Sequence, residues 1–204
     1  EIEFPMTIFV GVDNELAGRF AAKEAANWIH DNWDNQLDKI LIGLDQRVTS
    51  THRQRIETVL NQLNTMIDYE ADQVLHIDTK LSTEVTYQNV RPILENWQDN
   101  RKILMIAVGD SVAKGMLDIS RDLGRQDDVV VVSFDGTSLA LEEFRRPDCR
   151  LLVSPTFQPN EYGKHLISLV NRIAYGERVP RQNLIPPLCI TRDNYEYILI
   201  SISR

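Results

Sequence analysis

The sequence predicts an α/β fold: a three-layer arrangement with a parallel sheet and helices on both faces. Short apolar runs alternate along the chain with longer segments whose apolar residues recur every three or four positions, so the hydrophobic period switches repeatedly between strand and helix. Several of the short runs, such as Val129 to Val132, are apolar at every position, as strands buried on both faces are. Parallel strands need crossover connections, and helices are the usual ones.

Taken in order, Thr7 to Val12 reads as a buried strand, and Asp13 or Asn14 can cap a helix that buries Leu16, Ala17, Phe20, Ala21, Ala25, Trp28 and Ile29 and runs to about Asp31. Lys39 to Gly43 is the second strand, and Ile56, Val59, Leu60, Leu63 and Ile67 mark the second helix. Val74 to Ile77 is the third strand. The helix after it passes through Val90, Ile93, Leu94 and Trp97, with a kink or break expected at Pro92. Lys102 to Val108 is the fourth strand, followed by a helix capped by Asp110 or Ser111, carrying Met116, Leu117, Ile119 and Leu123, and stopped by Gly124. Asp128 to Phe134 is the fifth. Beyond Asp135-Gly136 come a short helix near Ser138 to Phe144, a strand Arg150 to Val153 and an amphipathic helix from Pro159 to Tyr175, ended by Gly176. The tail, with Pro180, Pro186 and Pro187, reads as an extended surface segment, and Ile198 to Ile202 as a last strand.

The 204 residues fit one sizeable core. Lys and Arg number 22 against 30 Asp and Glu, a net charge of -8, which argues against direct nucleic-acid binding by this chain. Two cysteines, Cys149 and Cys189, without metal-ligand or CxxC spacing, make neither a disulfide framework nor a zinc site. No apolar run approaches the length of a membrane helix. No basic stretch leading into an apolar one stands at Glu1, so an export signal is expected to have been removed already or never to have existed.

Ligands of open α/β sheets sit outside the carboxyl ends of the strands. The polar residues just after strands are Asp13, Asp45, Asp78, Asp110 and Asp135. Each can cap a helix. Gathered at one edge, their mutual repulsion is offset if they bind something, such as a polyol or a cation. No dinucleotide, P-loop, hydrolase-elbow or zincin motif is present, and the four histidines, His30, His52, His76 and His165, are scattered. No catalytic site, metal site or cofactor is predicted.

Five segments carry a resemblance. Val12 to Ala22 resembles the "VDxxxxGxxAA" of type I periplasmic sugar-binding proteins, and Ser133-Phe134-Asp135-Gly136-Thr137 their "GFDGT". Ala107 to Leu117 is similar to "ANDxMAxGAL", Gln158 to Gly163 to "QxPxxxG", and Tyr175 to Pro180 to "xGExVP", in the family's order and spacing. Lac-repressor-type regulators share this effector-binding architecture.

The resemblance implies one lobe of a periplasmic-binding-protein-like fold, closing over a sugar-like molecule without chemical change. It implies the solute-binding component of an ABC-type transporter, periplasmic or extracellular, with a membrane permease as partner. The second reading is a cytoplasmic lac-repressor-type regulator, with a DNA-binding domain in the same full-length chain. Residues 1–204 then form the carboxyl-terminal lobe, with hinge segments at about 1–12 and 154–194 that normally join a second lobe, in a fragment of a longer protein or a reduced relative. The helix stripe Tyr162, Leu166, Leu169, Val170 and Ile173 is expected to fold back on the sheet or to pair with a second copy in a homodimer.

Carried over, the family's sugar-binding aspartate is Asp135, and Asp110 matches the aspartate of "ND", with Gly109 where the family has a ligand-contacting asparagine. The arginine after the second strand falls within Ser50 to Arg55, at His52 or Arg53. Phe157 stands at the glutamine's place, with Gln158 one later. The expected ligand contacts are Asp135, Asp110, Arg53, His52, Asp13 and Gln158, in a pocket that departs from a standard pentose or hexose site.

Overall fold

A computed structural model describes residues 8–45, 47 and 50–202. The elements run β1 (Phe9–Val12), α1 (Asn14–Trp33), β2 (Lys39–Leu44), α2 (Ser50–Leu63), β3 (Val74–Asp78), α3 (Thr83–Asn96), β4 (Ile103–Ala107), α4 (Asp110–Asp122), β5 (Val129–Val132), α5 (Ser138–Phe144), β6 (Leu151–Val153), α6 (Pro159–Ala174), β7 (Gln182–Ile185) and α7 (Tyr195–Ile202).

Five strands form one sheet in the order β3-β2-β4-β5-β6, and every neighbouring pair is parallel. β4 and β5 are buried at every position, as their unbroken apolar sequences require. Helices α1 and α2 pack together on one face, with α1 also against β5 and β6, while α3, α4 and α5 cover the other. The α/β reading holds. Each fully buried aliphatic side chain, such as Ile40, Ile106 or Val131, contributes about 1.5–3 kcal/mol by leaving water.

Alanines 17, 21, 22 and 25 line the inner face of α1 and are fully buried. With Gly18 they let α2 approach closely: a Cβ on Gly18 would stand 2.8 Å from the Arg55 carbonyl. This contact brings the start of α2 against the start of α1, where the site forms.

β1 is not a strand of the main sheet. It pairs in parallel with β7, Phe9 opposite Gln182 and Val12 opposite Ile185, so the tail read as an extended surface segment is partly a strand. Thr7, where the sequence starts the first strand, lies outside the described residues. Helix α6 packs against β1 and buries Leu169, but Leu166, Val170 and Ile173 remain exposed, and Ile167 is 65% exposed. The stripe therefore does not fold back on the main sheet.

Of the kink or break expected at Pro92, the break does not occur, and the last expected strand is overturned. Pro92 lies inside α3 without ending it, because Pro92 and Gln88, whose carbonyl loses its amide partner, are both on the exposed face, where water can take over. Ile198 to Ile202 is helix, not strand. The sheet edge beside β6 is already occupied: Thr191 bridges Val153, and Leu188 bridges Thr156, both antiparallel. The Tyr195 amide then donates to the Thr191 carbonyl and that of Ile198 to Asn194, starting a helix whose Tyr195 stacks on Phe144.

Candidate functional site

From β2 the chain goes outward to β3 and then crosses to β4 on the other side of β2. The carboxyl ends of β2 and β4 therefore flank the switch point where such sheets bind ligands. Asp45 follows β2 and Gly109 follows β4, with Asp135 beyond the neighbouring β5.

Arg55, in the second turn of α2, is buried and reaches into this edge. Its Nε donates to Asn14 Oδ1 at 2.6 Å. Its Nη1 faces the Val108 carbonyl at 3.4 Å and Asp135 Oδ1 at 3.5 Å. The guanidinium carbon stands 4.1 Å from the ring centre of Phe157 and 5.5 Å from that of Phe134, within the range of cation–π attraction. Burial works against its charge and lowers its pKa, with Asp135 and Tyr162 acting in the opposite direction.

Asp135 has φ 101°, outside the region non-glycine residues ordinarily adopt. Such a backbone costs about 1–3 kcal/mol and persists where its surroundings enforce it. Here the Asp135 amide donates to the Pro155 carbonyl, and the Gly136 amide to Ser154 Oγ. Gly136 itself has φ 61°, and a Cβ there would meet Thr156 Cβ at 2.4 Å. The strain aims the Asp135 carboxylate across the edge and over Gly109, whose Cβ, if it had one, would lie 2.6 Å from Asp135 Oδ2. The side chain is 41% exposed, and among the described residues Arg55 is its only side-chain donor. Burial pushes its pKa up to about 6, against the pull of Arg55 and with a further push from Asp110.

Asp110 does not face the edge. It is 2% exposed, and its carboxylate accepts hydrogen bonds from Ser133 Oγ (2.8 Å), Ser154 Oγ (2.7 Å), the Thr137 amide (2.7 Å) and Thr137 Oγ1 (2.8 Å). A carboxylate so committed ties α4 to the turns after β5 and β6 rather than offering oxygens to a ligand. Arg53 is exposed, and the arginine that reaches this edge is Arg55, which the sequence reading passed over. His52 is half-buried, with Arg55 and Asp45 near enough for their charges to act on it. Burial first, then Arg55, lowers its pKa.

Asp13 caps α1, its Oδ1 accepting from the Leu16 amide at 2.8 Å. Gln158, with φ 45°, donates from Nε2 to the Pro186 carbonyl at 3.2 Å, while Phe157 supplies the face against Arg55. Asp45 is held by Arg47 through its backbone amide, Nε and Nη2, and Arg47 lowers the Asp45 pKa to about 2.

The exposed edge thus presents an acceptor, Asp135, beside a fixed cationic donor, Arg55. A pair of neighbouring hydroxyls, one donating and one accepting, matches it. Among the described residues no cluster of His, Cys, Asp and Glu could hold a metal ion. Both cysteine thiols are pushed up by burial, to about 11 for Cys149 and about 12 for Cys189, away from nucleophilic reactivity.

The family model described as the periplasmic binding protein domain matches residues 1–178. The chain belongs to the periplasmic binding protein family. No individual curated protein matches the sequence. Among solved structures, this periplasmic binding protein domain is similar to an ABC transporter periplasmic solute-binding protein of Actinobacillus succinogenes with bound D-allose, at 18% identity and a TM-score of 0.75 over 93% of this chain and 64% of that one. It is similar to a periplasmic ribose ABC transporter protein of Conexibacter woesei at 17% identity and a TM-score of 0.77, over 95% and 62%. A solute-binding protein of Bacillus halodurans with bound myo-inositol aligns at 21% identity and a TM-score of 0.69, over 94% and 62%. These likenesses establish the fold. The periplasmic binding protein domain described here spans less than two thirds of each of those chains.

Proposed function

We propose that the chain is the ligand-binding lobe of a solute-binding protein of an ABC-type transport system, taking a sugar or cyclic polyol without chemical change. One observation carries this reading: a strained, half-exposed Asp135 carboxylate beside the fixed Arg55 guanidinium, at the carboxyl edge of a parallel sheet. The D-allose and myo-inositol bound in the similar proteins are polyhydroxylated, the chemistry this pair suits. The ribose transporter protein supports the transport reading over the regulator reading. The partner is then a membrane permease, and the location periplasmic or extracellular.

In this reading residues 1–12 and 154–194 are hinge segments toward a second lobe, and ligand binding drives closure. The apolar stripe of α6 faces that lobe or a second copy. Calorimetric titration with D-allose, D-ribose and myo-inositol tests the function. Binding of at least one, abolished or strongly weakened in Asp135→Ala, is expected. No binding of any of them by the full protein, or unchanged affinity in the variant, contradicts it.

A further inference from the structure

We propose that Asn14 is a positioning residue for the ligand site, fixing the Arg55 guanidinium and tying it to β1. The proposal rests on the reading of Arg55 and Asp135 as ligand contacts.

Asn14 is the first residue of α1, and it is buried. The capping of that helix is already done by Asp13, so Asn14 is not needed there. A polar side chain at such a place is costly unless it is hydrogen-bonded. Asn14 Nδ2 donates to the Val12 carbonyl of β1 at 3.2 Å, which turns Oδ1 toward Arg55, where it accepts from Nε at 2.6 Å. The opposite amide orientation would set an NH2 group against the Nε–H, donor to donor. Arginine has one Nε–H in the plane of a rigid fork. Binding that hydrogen while Phe157 covers the face fixes both the plane and the direction of the guanidinium. The Nη edge is left facing Asp135 and the exposed edge. Because the chain continues from Asn14 through Val12 into β1, a shift of β1 relative to the main sheet is transmitted to Arg55.

The test uses Asn14→Leu, which keeps the bulk and removes the acceptor, and Asn14→Asp, which keeps an acceptor, each alone and combined with Arg55→Lys. Affinity for D-allose and myo-inositol is measured by calorimetry, and the Asp135 carboxyl is titrated by carbon NMR. Asn14→Leu should weaken binding about tenfold or more, the effect of one hydrogen bond to a charged group. It should also raise the Asp135 midpoint as the guanidinium moves away. Asn14→Asp, which keeps the acceptor for Nε but loses the donor to Val12, should weaken binding less than Asn14→Leu, and with Arg55→Lys in place Asn14→Leu should add no further loss. Should Asn14→Leu fail to fold, Asn14→Ser, too short to reach Nε, makes the same comparison. An unmoved Asp135 midpoint in a folded variant, or an equal loss in the Arg55→Lys background, overturns the proposal. If the wild-type protein binds neither sugar, the transport reading fails, and the Asp135 midpoint alone decides the role of Asn14.

Discussion

Arg55 Nη1 and Asp135 Oδ1 stand 3.5 Å apart although 80 residues separate them in the chain. Neither residue is where its own element would ordinarily put it. The arginine lies on the buried face of a helix, and the aspartate holds a φ suited to glycine. Each departure costs stability on its own, and the pair they create faces the edge where this kind of sheet binds ligands.

The half-exposed Asp135 gives the site a pH dependence. An acid whose native pKa is raised above its unfolded value keeps its proton longer in the folded state, so its contribution to stability falls as pH rises from about 4 to about 6. Above that range the ionised, disfavoured form is fully in force. Asp135→Asn, whose side chain also tolerates positive φ, should raise the melting temperature at pH 7.5 relative to wild type. That gain should shrink toward pH 4. A variant less stable than wild type at pH 7.5 would show that the charged carboxylate is not the disfavoured form.

Ligand binding should depend on pH in the opposite sense. A carboxylate accepts hydroxyl protons only when ionised, so affinity should fall as pH drops below about 6, and binding near that pH should release protons. Calorimetry at pH 6 in buffers of different ionisation enthalpy measures the release. Asp135→Asn should abolish it.

Asp110→Ala separates structure from site. It leaves Ser133, Ser154 and both donor groups of Thr137 without their acceptor, at a cost of roughly 2–4 kcal/mol. Denaturant unfolding should show that loss, while the folded fraction keeps most of its ligand affinity.

Gly109→Ala is the converse. The backbone at Gly109 is extended, with φ -169°, which any residue adopts, but the new Cβ meets Asp135 Oδ2. The carboxylate must swing away, so affinity should drop about tenfold or more while stability changes by less than about 1 kcal/mol, as displacing one charged hydrogen bond implies. Unchanged affinity would place the ligand away from Asp135.

Much of the fold was legible because β4 and β5 are apolar throughout, β2 is apolar from Ile40 onward, and the helices between them carry apolar residues at three- and four-residue spacing. What was not legible depends on tertiary competition. Ile198 to Ile202 looks like a strand, but Thr191 and Leu188 already occupy the open edge beside β6 and its extension. Pro92 reads as a breaker only if its helix face is buried, and it is not. At the candidate site, Asp135 was singled out by its place after the fifth strand and by its match to the family's "GFDGT". Arg55 was not selected, yet a signal was present: it lies one turn before Val59 and two before Leu63, all on the buried face of α2. A lone cation on an apolar stripe implies a partner inside. No local pattern could show that Asp110 is saturated, since its donors come from positions 133, 137 and 154.

A crystal structure of the protein grown with D-allose or myo-inositol tests the central claim most directly. The account predicts one ring hydroxyl donating to Asp135 and an adjacent hydroxyl accepting from Arg55, with Asp110 still bonded to Ser133, Ser154 and Thr137. A ligand bound elsewhere, or one seated at this edge without touching Asp135, would contradict it.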